Sequence, residues 1–491
     1  MDELGLLIRS RYPILTVETH EESRLLELLA ARARELNLAF FVWSVTDGLQ
    51  RHGLNQPVYE TQEPAKVLRH IETIETPSLF LLRDFHPFLN DPVLVRLLRD
   101  IAQEKAHVPV TLVLSAPALD LPRELRTLAA RYRLRLPEEK ELRRLVLDTF
   151  GHLNPDKKKA YRLTDDELGT LVRNLKGLTL EEARRVVGRC VLDDNVLDAA
   201  DVLHALAVKK EHIEQSGILE YFEVGTDTPS LGGLRRLKEW LRRYQAGFSE
   251  RARRLGLRPP RGVLFVGVQG CGKSLASKTI AREWNLPLLR LDPGRLLDKY
   301  IGESEKNLRH AFDTAEGVSP VVLWIDEIEK AFAGSAGSEA DAGLGRRLFG
   351  SFLTWLQEKR ESVFVAATAN DLAATPPELL RKGRFDEVFF VDLPDEEERR
   401  EIFSIHLSLR KQNPRDFDLE ALAQGSDGFS GAEIEQVVVA ALYGLLAENA
   451  ERLTTERLQA ELAATVPLAR ARREQIAELR AFARDRFVPA R

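Results

Sequence analysis

Residues 258–292, RPPRGVLFVGVQGCGKSLASKTIAREWNLPLLRLD, decide the fold class of this chain. An apolar run leads into a glycine-rich loop that ends in Lys273-Ser274, and a helical pattern and a second apolar run follow. Glycines let consecutive backbone N–H groups turn towards a phosphate, and the helix that starts at the lysine directs its positive dipole end to the same charge. The spacing Gly-x4-Gly-Lys-Ser is the Walker A pattern. This stretch therefore predicts an α/β fold that binds a nucleotide phosphate.

The lysine and the serine of this loop have separate expected roles. Lys273 is expected to reach the β- and γ-phosphates, and Ser274 is expected to ligate Mg²⁺. The pattern lies between a predicted strand and a predicted helix, which is the context that the motif requires. The residues expected to contact the nucleotide here are Gly267, Val268, Gln269, Gly270, Cys271, Gly272, Lys273, Ser274 and Leu275.

Two carboxylates end another apolar run, VVLWIDE at residues 321–327. Ligands of an open parallel sheet bind at the carboxyl ends of its strands, so these side chains are expected beside the loop. Asp326 is expected to hold the Mg²⁺ shell, and Glu327 to accept a proton from the attacking water. Asn370, which ends the next apolar run in AATAND, is expected to orient that water. An asparagine chosen for a turn is the alternative interpretation of Asn370.

Arg381 and Arg384 lie in the segment LLRKGRFDEVFF, after the second carboxylate motif. Phosphoryl transfer needs positive charge near the γ-phosphate at the transition state, and an arginine finger supplies about 10³-fold or more in rate. Surface solvation is the alternative role for both arginines. Their spacing does not indicate whether they act within one chain or on a neighbouring one.

Segments of the second half have counterparts of similar rhythm in the first half, in the same order. The segment RYPILTVETHEESRLLELLAARARELNLAFFVWSV at 11–45 parallels 258–292 without the glycine loop. Further parallels pair 75–85 with 318–328, 110–125 with 363–379, 136–146 with 393–403, and 176–187 with 427–438. Strands that alternate with helices imply parallel sheets with helices on both faces. We therefore expect an α/β chain of tandem modules, each a parallel sheet with flanking helices and a small helical lid.

The expected boundaries follow from these parallels. Residues 1–150 are expected to form an α/β domain without the loop, 151–208 its helical lid, 209–228 a linker, 229–394 the nucleotide-binding α/β domain, and 395–491 a second lid with a C-terminal helix. Residues 334–345, GSAGSEADAGLG, form a low-complexity segment that is typical of a mobile loop.

The first module is expected to be degenerate. Where Lys273-Ser274 should have counterparts, it carries Glu21-Glu22-Ser23-Arg24, and poorly solvated carboxylates repel a triphosphate by several kcal/mol. In the second parallel, Asp84 is followed by Phe85, so the glutamate that activates water is missing. We predict that this module neither hydrolyses nor tightly binds a nucleotide and serves as a scaffold.

The composition narrows the classes of partner. The net charge is −5, from 71 Lys and Arg against 76 Asp and Glu, so no global field attracts nucleic acid or an anionic membrane. Basic stretches at 235–243 and 251–261 keep nucleic-acid remodelling open as a weaker alternative. The two cysteines, Cys190 and Cys271, lack metal-ligand spacing. Without a signal-peptide pattern or a long apolar run, a cytoplasmic location without a membrane partner is expected.

These motifs together resemble the AAA family of ATPases, over residues 229–491. The resemblance rests on GVQGCGKS, WIDE, ATAN, GRFD and SGAE. It implies ATP and Mg²⁺ as cofactors and assembly of identical chains into a ring, usually a hexamer. In such rings, arginines that match Arg381 and Arg384 act on the neighbour's nucleotide. It also assigns Gly431, Ala432, Gly232 (with Gly233) and His406 to the nucleotide's surroundings, and a core histidine is the alternative for His406.

The stretch DKYIGESEKNLR resembles the family's central pore loop, with Tyr300, Ile301 and Gly302 as its tip. Such tips grip an extended polypeptide that is drawn through the ring. An aromatic side chain beside a glycine is both adhesive and mobile, which suits that role. Packing of Tyr300 inside its own domain is the alternative.

More closely, VGVQGCGKS, FLTWLQEK, ELLRKGRFDE and the N-terminal LLIRSRYPILTVETHEESR resemble a bacterial AAA group of cyanobacteria and algal plastid genomes. The leading functional expectation is ATP hydrolysis coupled to remodelling or threading of a protein substrate. The alternative is an ATP-gated switch whose first module engages a partner protein or adaptor.

Overall fold

The computed structural model describes most of the chain: residues 3–54, 56–104, 110–156, 158–215, 217–222, 230–292, 295, 303–332, 339–359, 361–372, 375–381, 383–448 and 452–491. Tyr300, Ile301 and Gly302, which are expected to form the tip of a pore loop, lie outside these ranges. The chain divides into two compact units, Met1–Val202 and Leu203–Arg491. No helix among the described residues is long and apolar enough to cross a lipid bilayer.

The first unit contains a six-stranded sheet and a group of helices. Its strands are β1 (Ile14–Glu18), β2 (Ala39–Ser44), β3 (Gly48–Arg51), β4 (Ser78–Arg83), β5 (Val110–Ala116) and β6 (Ala129–Arg131), with a small ribbon of β7 (Ala160–Tyr161) and β8 (Val196–Leu197). Its helices are α1 (Glu3–Arg9), α2 (Glu22–Glu35), α3 (Pro64–Thr73), α4 (Pro92–Glu104), α5 (Arg123–Arg126), α6 (Glu139–Leu153), α7 (Asp165–Leu175), α8 (Leu180–Asp194) and the start of α9 (Ala199–Glu214). The sheet order is β3-β2-β4-β5-β1-β6, and only β3 among these pairs antiparallel to its neighbour.

The second unit contains a seven-stranded sheet and a second group of helices. Its strands are β9 (Leu219–Phe222), β10 (Gly262–Gly267), β11 (Leu288–Leu291), β12 (Val321–Ile325), β13 (Val363–Ala369), β14 (Glu387–Val391) and β15 (Val488–Pro489). Its helices are α10 (Arg235–Gln245), α11 (Glu250–Arg254), α12 (Lys273–Trp284), α13 (Glu303–Val318), α14 (Ile328–Phe332), α15 (Glu339–Glu358), α16 (Glu396–Leu409), α17 (Leu419–Gly425), α18 (Gly431–Ala447), α19 (Thr455–Ala464), α20 (Leu468–Ala471) and α21 (Arg473–Ala483). The sheet order is β15-β14-β10-β13-β12-β11-β9.

Alternation along the strands explains why helices cover both faces of each sheet. In β12, Leu323 belongs to one core cluster, whereas Val322 and Trp324 belong to the cluster on the other face. In β4, Phe80 and Leu79 separate in the same way. Successive side chains of a strand point to opposite faces, so a strand that is apolar throughout must be buried on both.

The two sheets share one strand order, which supports the internal duplication. The order β2-β4-β5-β1-β6 of the first sheet corresponds to β11-β12-β13-β10-β14 of the second. Each sheet also has an antiparallel strand at the same edge, β3 beside β2 and β9 beside β11. The expected α/β fold with parallel sheets, flanking helices and a lid domain is therefore confirmed.

Helix starts correspond between the two helical parts as well. Thr179 caps α8, and its side chain and that of Glu182 form reciprocal hydrogen bonds with the backbone of the first turn. Ser430 and Glu433 form the same capping box on α18. Each box satisfies backbone N–H groups that a helix start otherwise leaves free.

Several expected boundaries differ from the structure. The boundary between 150 and 151 falls inside α6, and the linker expected at 209–228 instead contains the end of α9 and the strand β9. Residues 339–345 of the low-complexity segment lie in α15, since alanine and leucine favour a helix there. Beyond the C-terminal helix, β15 pairs with β14 and so belongs to the sheet, not to the lid. Long-range strand pairing leaves little trace in so short a segment.

Candidate functional site

The glycine-rich loop connects β10 to α12 at the carboxyl edge of the second sheet. Gly267 has a φ of +140°, and a Cβ atom there would lie 2.1 Å from the carbonyl oxygen of Val391. Gly270 has a φ of +77°, and a Cβ atom would lie 3.0 Å from Ser430 Oγ. A Cβ atom would collide with the β14 backbone at Gly267 and would be strained and tightly packed against the lid at Gly270, so glycine lets the loop backbone lie close to both.

Lys273 begins α12 and turns its amine back into the loop. Its Nζ donates hydrogen bonds of 2.9 Å to the carbonyl oxygens of both Gly267 and Val268. The side chain is 5% exposed, and burial lowers the pKa of Lys273 to about 8. A group that binds here and carries negative charge would replace lost solvation, since an opposite charge favours the protonated amine.

The serine and the aspartate expected to hold Mg²⁺ lie together. Ser274 Oγ donates to Asp326 Oδ1 at 3.0 Å, and Thr368 Oγ1 donates to the same oxygen at 2.6 Å. Hydroxyl and carboxylate oxygens are the ligands that Mg²⁺ prefers, so this donor set fits the ion. Among the described residues no group of three or more His, Cys, Asp or Glu side chains could hold a metal ion.

Glu327 follows β12 with a φ of +50° and contacts two neighbours. Asn370 Nδ2 donates to Glu327 Oε1 at 2.8 Å, and Lys330 Nζ lies 2.5 Å from Glu327 Oε2. The hydrogen bond from Lys330 contributes most to lowering the pKa of the Glu327 carboxyl group. Glu327 is therefore ionised at neutral pH and can accept a proton.

Three residues of this site were missed at the sequence level: Thr368, Glu329 and Lys330. Thr368 Oγ1 accepts a hydrogen bond of 3.0 Å from the backbone N–H of Glu327 while it donates to Asp326. Lys330 lies three residues after Glu327 at the start of a helix, a spacing that could have indicated the ion pair. Thr368 and Glu329 act across strands, and one sequence carries no signal for such partners.

The lid contacts the loop through the first turn of α18. The backbone N–H of Ala432 donates to the carbonyl oxygen of Gly270 at 3.0 Å. Ile402 of α16 lies 3.8 Å from where a Cβ atom of Gly431 would be, and 2.8 Å from that of Gly232. Gly431 and Ala432 thus lie beside the loop, and Gly232 lies beside Ile402 of α16, while their assignment to the nucleotide's surroundings stays a prediction.

His406 and the two arginines remain less defined. His406 Nδ1 lies 3.4 Å from Arg410 and 3.8 Å from Glu435, and burial lowers the pKa of its imidazole. Arg381 is exposed and Arg384 is half-buried, and neither has an ion-pair partner among the described residues. The roles assigned to these three residues stay predictions.

The first unit departs from this arrangement at the corresponding loop. The same number of residues separates Glu18 from Asn37 and Val266 from Asn285, and both asparagines end their helices in the left-handed region. In the first unit, however, helix α2 begins three residues earlier within that span, at Glu22.

This spacing corrects the predicted counterparts of the lysine and the serine. Leu25 and Leu26, and not Glu21-Glu22-Ser23-Arg24, occupy the positions of Lys273 and Ser274. Glutamate, serine and arginine all tolerate helical backbone. The segment that corresponds to the glycine-rich loop therefore forms a helical turn in the first unit.

The carboxylate motif also shifts by one residue. Asp84 has a φ of +49°, as Glu327 has +50°, so Asp84 corresponds to Glu327 and Arg83 to Asp326. The expectation that Asp84 matches Asp326 is therefore wrong. Arg83 lies 3.7 Å from Glu22, and an arginine in this place cannot ligate Mg²⁺.

Glu21 joins the sheet of the first unit to its helical part. Its side chain is 8% exposed, and Oε1 accepts a hydrogen bond of 2.8 Å from the backbone N–H of Leu180, in the first turn of α8. Oε2 lies 3.1 Å from Arg24, which also donates to the carbonyl oxygen of Arg135 and lies 3.6 Å from Glu141 of α6. In the first unit, a side chain thus contacts the helical part. In the second unit, backbone atoms of the loop make the corresponding contact.

Four stretches of the chain match families of known proteins. They are residues 1–134 (SpoVK-like AAA ATPase, N-terminal domain), 121–216 (SpoVK-like AAA ATPase, second domain), 263–393 (ATPase family associated with various cellular activities, AAA) and 416–460 (AAA+ lid domain). The second-unit matches contain the glycine-rich loop, both carboxylates and the first turn of α18.

Relatives match nearly the whole chain. The chain is 41% identical over 485 residues to the "Uncharacterized AAA domain-containing protein ycf46" of Guillardia theta, covering 98% of this chain and 94% of that protein. Proteins of the same description from Trieres chinensis (39% over 488 residues, 98% and 96%) and Pyropia yezoensis (37% over 487 residues, 98% and 97%) are similar. The resemblance seen in the sequence is confirmed, and the chain belongs to the AAA family of ATPases.

Proposed function

We propose that the second unit hydrolyses ATP with the help of Mg²⁺. One observation carries this proposal: a lysine, a serine, two carboxylates and an amide lie together where β10, β12 and β13 end. The contacts Ser274–Asp326 and Asn370–Glu327 join side chains from different strands. A loop that only bound phosphate would not need an ionised glutamate held by an amide.

Each residue has a role in this reaction. The Lys273 amine would exchange its two carbonyl partners for phosphate oxygens, and Ser274 with Asp326 would hold Mg²⁺. When bound, Mg²⁺ neutralises charge on the phosphate oxygens. Glu327 would take a proton from the attacking water, and Asn370 would keep its carboxylate aimed at that water.

The Glu327→Gln variant tests the reaction. Glutamine keeps an oxygen for Asn370 but cannot take a proton, so ATP should still bind while hydrolysis falls by about 10²-fold or more. Nucleotide affinity by calorimetry and phosphate release measure the two effects separately. Hydrolysis at the wild-type rate in this variant would overturn the assignment of Glu327.

We also propose that identical chains form a ring, a hexamer by family expectation, in which Arg381 and Arg384 act on the neighbour's nucleotide. Neither arginine has an ion-pair partner among the described residues, and this supports a role towards a neighbouring chain. Mixing an Arg384→Ala chain with a Glu327→Gln chain tests it, because active sites that pair the intact halves should recover hydrolysis. Mass measurement with ATP gives the oligomer number.

We propose that hydrolysis remodels or threads a protein substrate, which the sequence of the pore-loop residues supports. Tyr300→Ala should abolish work on a protein substrate and leave most ATP hydrolysis intact. Remodelling at an unchanged rate in this variant would rule threading out. A cytoplasmic location, without a membrane or nucleic-acid partner, stays a prediction from the sequence, and salt-dependent binding to DNA or RNA would contradict it.

A nucleotide-gated switch is the second candidate function. The observation that favours it is the first unit, a folded sheet and helical part whose phosphate-binding stretch is a helical turn. As a switch, the chain would hydrolyse ATP slowly and form a stable complex with a partner when ATP is bound. Pull-downs that compare the wild type with Glu327→Gln separate the candidates, since a trapped folded partner favours the switch and an unfolded one favours threading.

A further inference from the structure

Glu329 is a buried acid that the reaction above does not use. It lies in α14, two residues after Glu327, and is 3% exposed. Its Oε1 accepts hydrogen bonds from the backbone N–H groups of Asn370, at 3.0 Å, and Asp371, at 3.3 Å. Its Oε2 has no hydrogen-bond partner among the described residues. Burying a carboxylate is unfavourable unless hydrogen bonds or an opposite charge offset the lost solvation, and here two backbone N–H groups bond to one of its oxygens.

These bonds hold the backbone of Asn370, whose side chain contacts the expected general base, Glu327. Asn370 is fixed at its backbone by Glu329 and donates from its side chain to Glu327 Oε1 at 2.8 Å. Two acids from the same short segment are therefore linked through one asparagine. A shift of the Asn370 backbone would move its amide away from Glu327.

A reciprocal contact fixes the other strand end. Thr368 of β13 accepts a hydrogen bond from the backbone N–H of Glu327, 3.0 Å away. The end of β13 thus holds the backbone that carries Glu327, while Glu329 holds the backbone that carries Asn370. The two strand ends keep each other in register at the place where water would be activated.

We propose that Glu329 is a positioning residue that fixes Asn370 so that its side chain orients Glu327. The proposal rests on the proposed ATP hydrolysis. The proposal requires an acceptor oxygen at this position, but it does not require a negative charge. If Glu329 only caps two backbone amides, removing its side chain would lower the stability of the protein without affecting hydrolysis through Asn370.

Single variants give the first test. Glu329→Ala should lower kcat for ATP hydrolysis by about tenfold and change the nucleotide Kd by less than about threefold, because the hydrogen bonds of Lys273 to the loop do not involve Glu329. Glu329→Gln keeps the acceptor and should restore kcat to within about threefold of wild type. If glutamine is as slow as alanine, the charge matters and the proposal fails.

A double-mutant cycle gives the decisive test. If Glu329 acts through Asn370, adding Glu329→Ala to Asn370→Ala should cost little beyond the Asn370→Ala loss. The matched control adds Glu329→Ala to Arg384→Ala, where the two losses should multiply, because the arginine does not act through Asn370. Multiplicative losses with Asn370→Ala would overturn the proposal.

Hydrogen exchange tests the positioning without any hydrolysis. The Asn370 and Asp371 amides should exchange faster in Glu329→Ala than in wild type, and near the wild-type rate in Glu329→Gln. Unchanged exchange in the alanine variant overturns the proposal even in a protein that hydrolyses ATP. If Glu329→Ala exchanges faster than wild type but the wild-type chain proves unable to hydrolyse ATP, the positioning holds and the proposed function fails.

Discussion

The two units of this chain share a scaffold and differ at one loop. Both sheets have the same strand order, and both lid helices begin with a capping box. Between strand end and helix end, the two units have segments of equal length, yet one segment forms a loop around Gly270 and the other a helical turn at Glu22. Strand and helix patterning thus fixes the architecture, and a few residue types decide whether a phosphate site forms on it.

The difference also concerns how the helical part is held. In the second unit, the loop backbone at Gly270 contacts α18 through Ala432. In the first unit, the Glu21 carboxylate contacts α8 through Leu180. A glycine loop is free to rearrange around a nucleotide, whereas a side-chain ion pair is already satisfied. We propose that the first unit keeps its helices in place without nucleotide.

The largest expected effect comes from removing the amine of the second unit. Lys273→Ala should weaken ATP binding by the whole chain at least about a hundredfold, since a buried charge-assisted contact to phosphate is lost. Calorimetry should find one site per chain in the wild type and none of comparable affinity in the variant. Leu25→Met is the matched control, because Leu25 has the corresponding position in the first unit and is fully buried, so a side chain of similar volume leaves no cavity. A tight site that survives Lys273→Ala would contradict the comparison.

Much of this contrast could be predicted from sequence. The glycine-rich spacing located the loop, and apolar runs ending in acids located the strand ends. The offset of Arg83 and Asp84 could not be predicted, because an acidic residue ends both motifs and only the backbone φ distinguishes them. The early start of α2 was equally hidden, since Glu22 and its neighbours suit a loop or a helix.

Contacts between segments that are far apart in the chain could not be predicted from the sequence, for a second reason. Thr368 contacts the Glu327 backbone only because β12 and β13 are adjacent in a particular register. Glu21 contacts Leu180, although 159 positions separate the two residues in the sequence. Neither spacing repeats a pattern, so each contact follows from the tertiary fold and not from local preference.

The next effect, on the first unit, is one of stability. Glu21→Ala removes the acceptor for Leu180 and the partner of Arg24, and should destabilise this unit by about 1–3 kcal/mol. Hydrogen exchange at the start of α8 should become faster in the variant, and ATP should not restore it. Glu22→Ala is the control, because Glu22 is 43% exposed and only its ion pair with Arg83 is lost. Unchanged exchange in Glu21→Ala, or slowing by ATP, would break the contrast.

A smaller effect should follow from one hydroxyl group at corresponding strand ends. Thr368→Val keeps the shape of the side chain but removes the link between Asp326 and the Glu327 backbone, so hydrolysis should fall by about tenfold. Ser115→Ala makes a similar deletion in the first unit, where the backbone carbonyl of Ser115, and not its hydroxyl, accepts from the Asp84 N–H. Phosphate release should be unchanged in that variant. Equal losses in both variants would mean that the two units are coupled in hydrolysis.

The smallest effect at neutral pH is a pH dependence of ATP binding that only the second unit should produce. Burial lowers the pKa of Lys273 to about 8, so the amine of the free protein loses its proton as pH rises through that value. Bound phosphate favours the protonated amine, and ATP binding above pH 8 must therefore take up a proton. ATP affinity should be steady between pH 7 and about 7.5 and should fall by up to about tenfold for each pH unit above 8. Calorimetry in buffers of different ionisation enthalpy measures both the affinity and the proton uptake. An affinity that stays constant to pH 9.5 would show that the amine remains charged in the empty loop, and that its two carbonyl partners compensate for its burial.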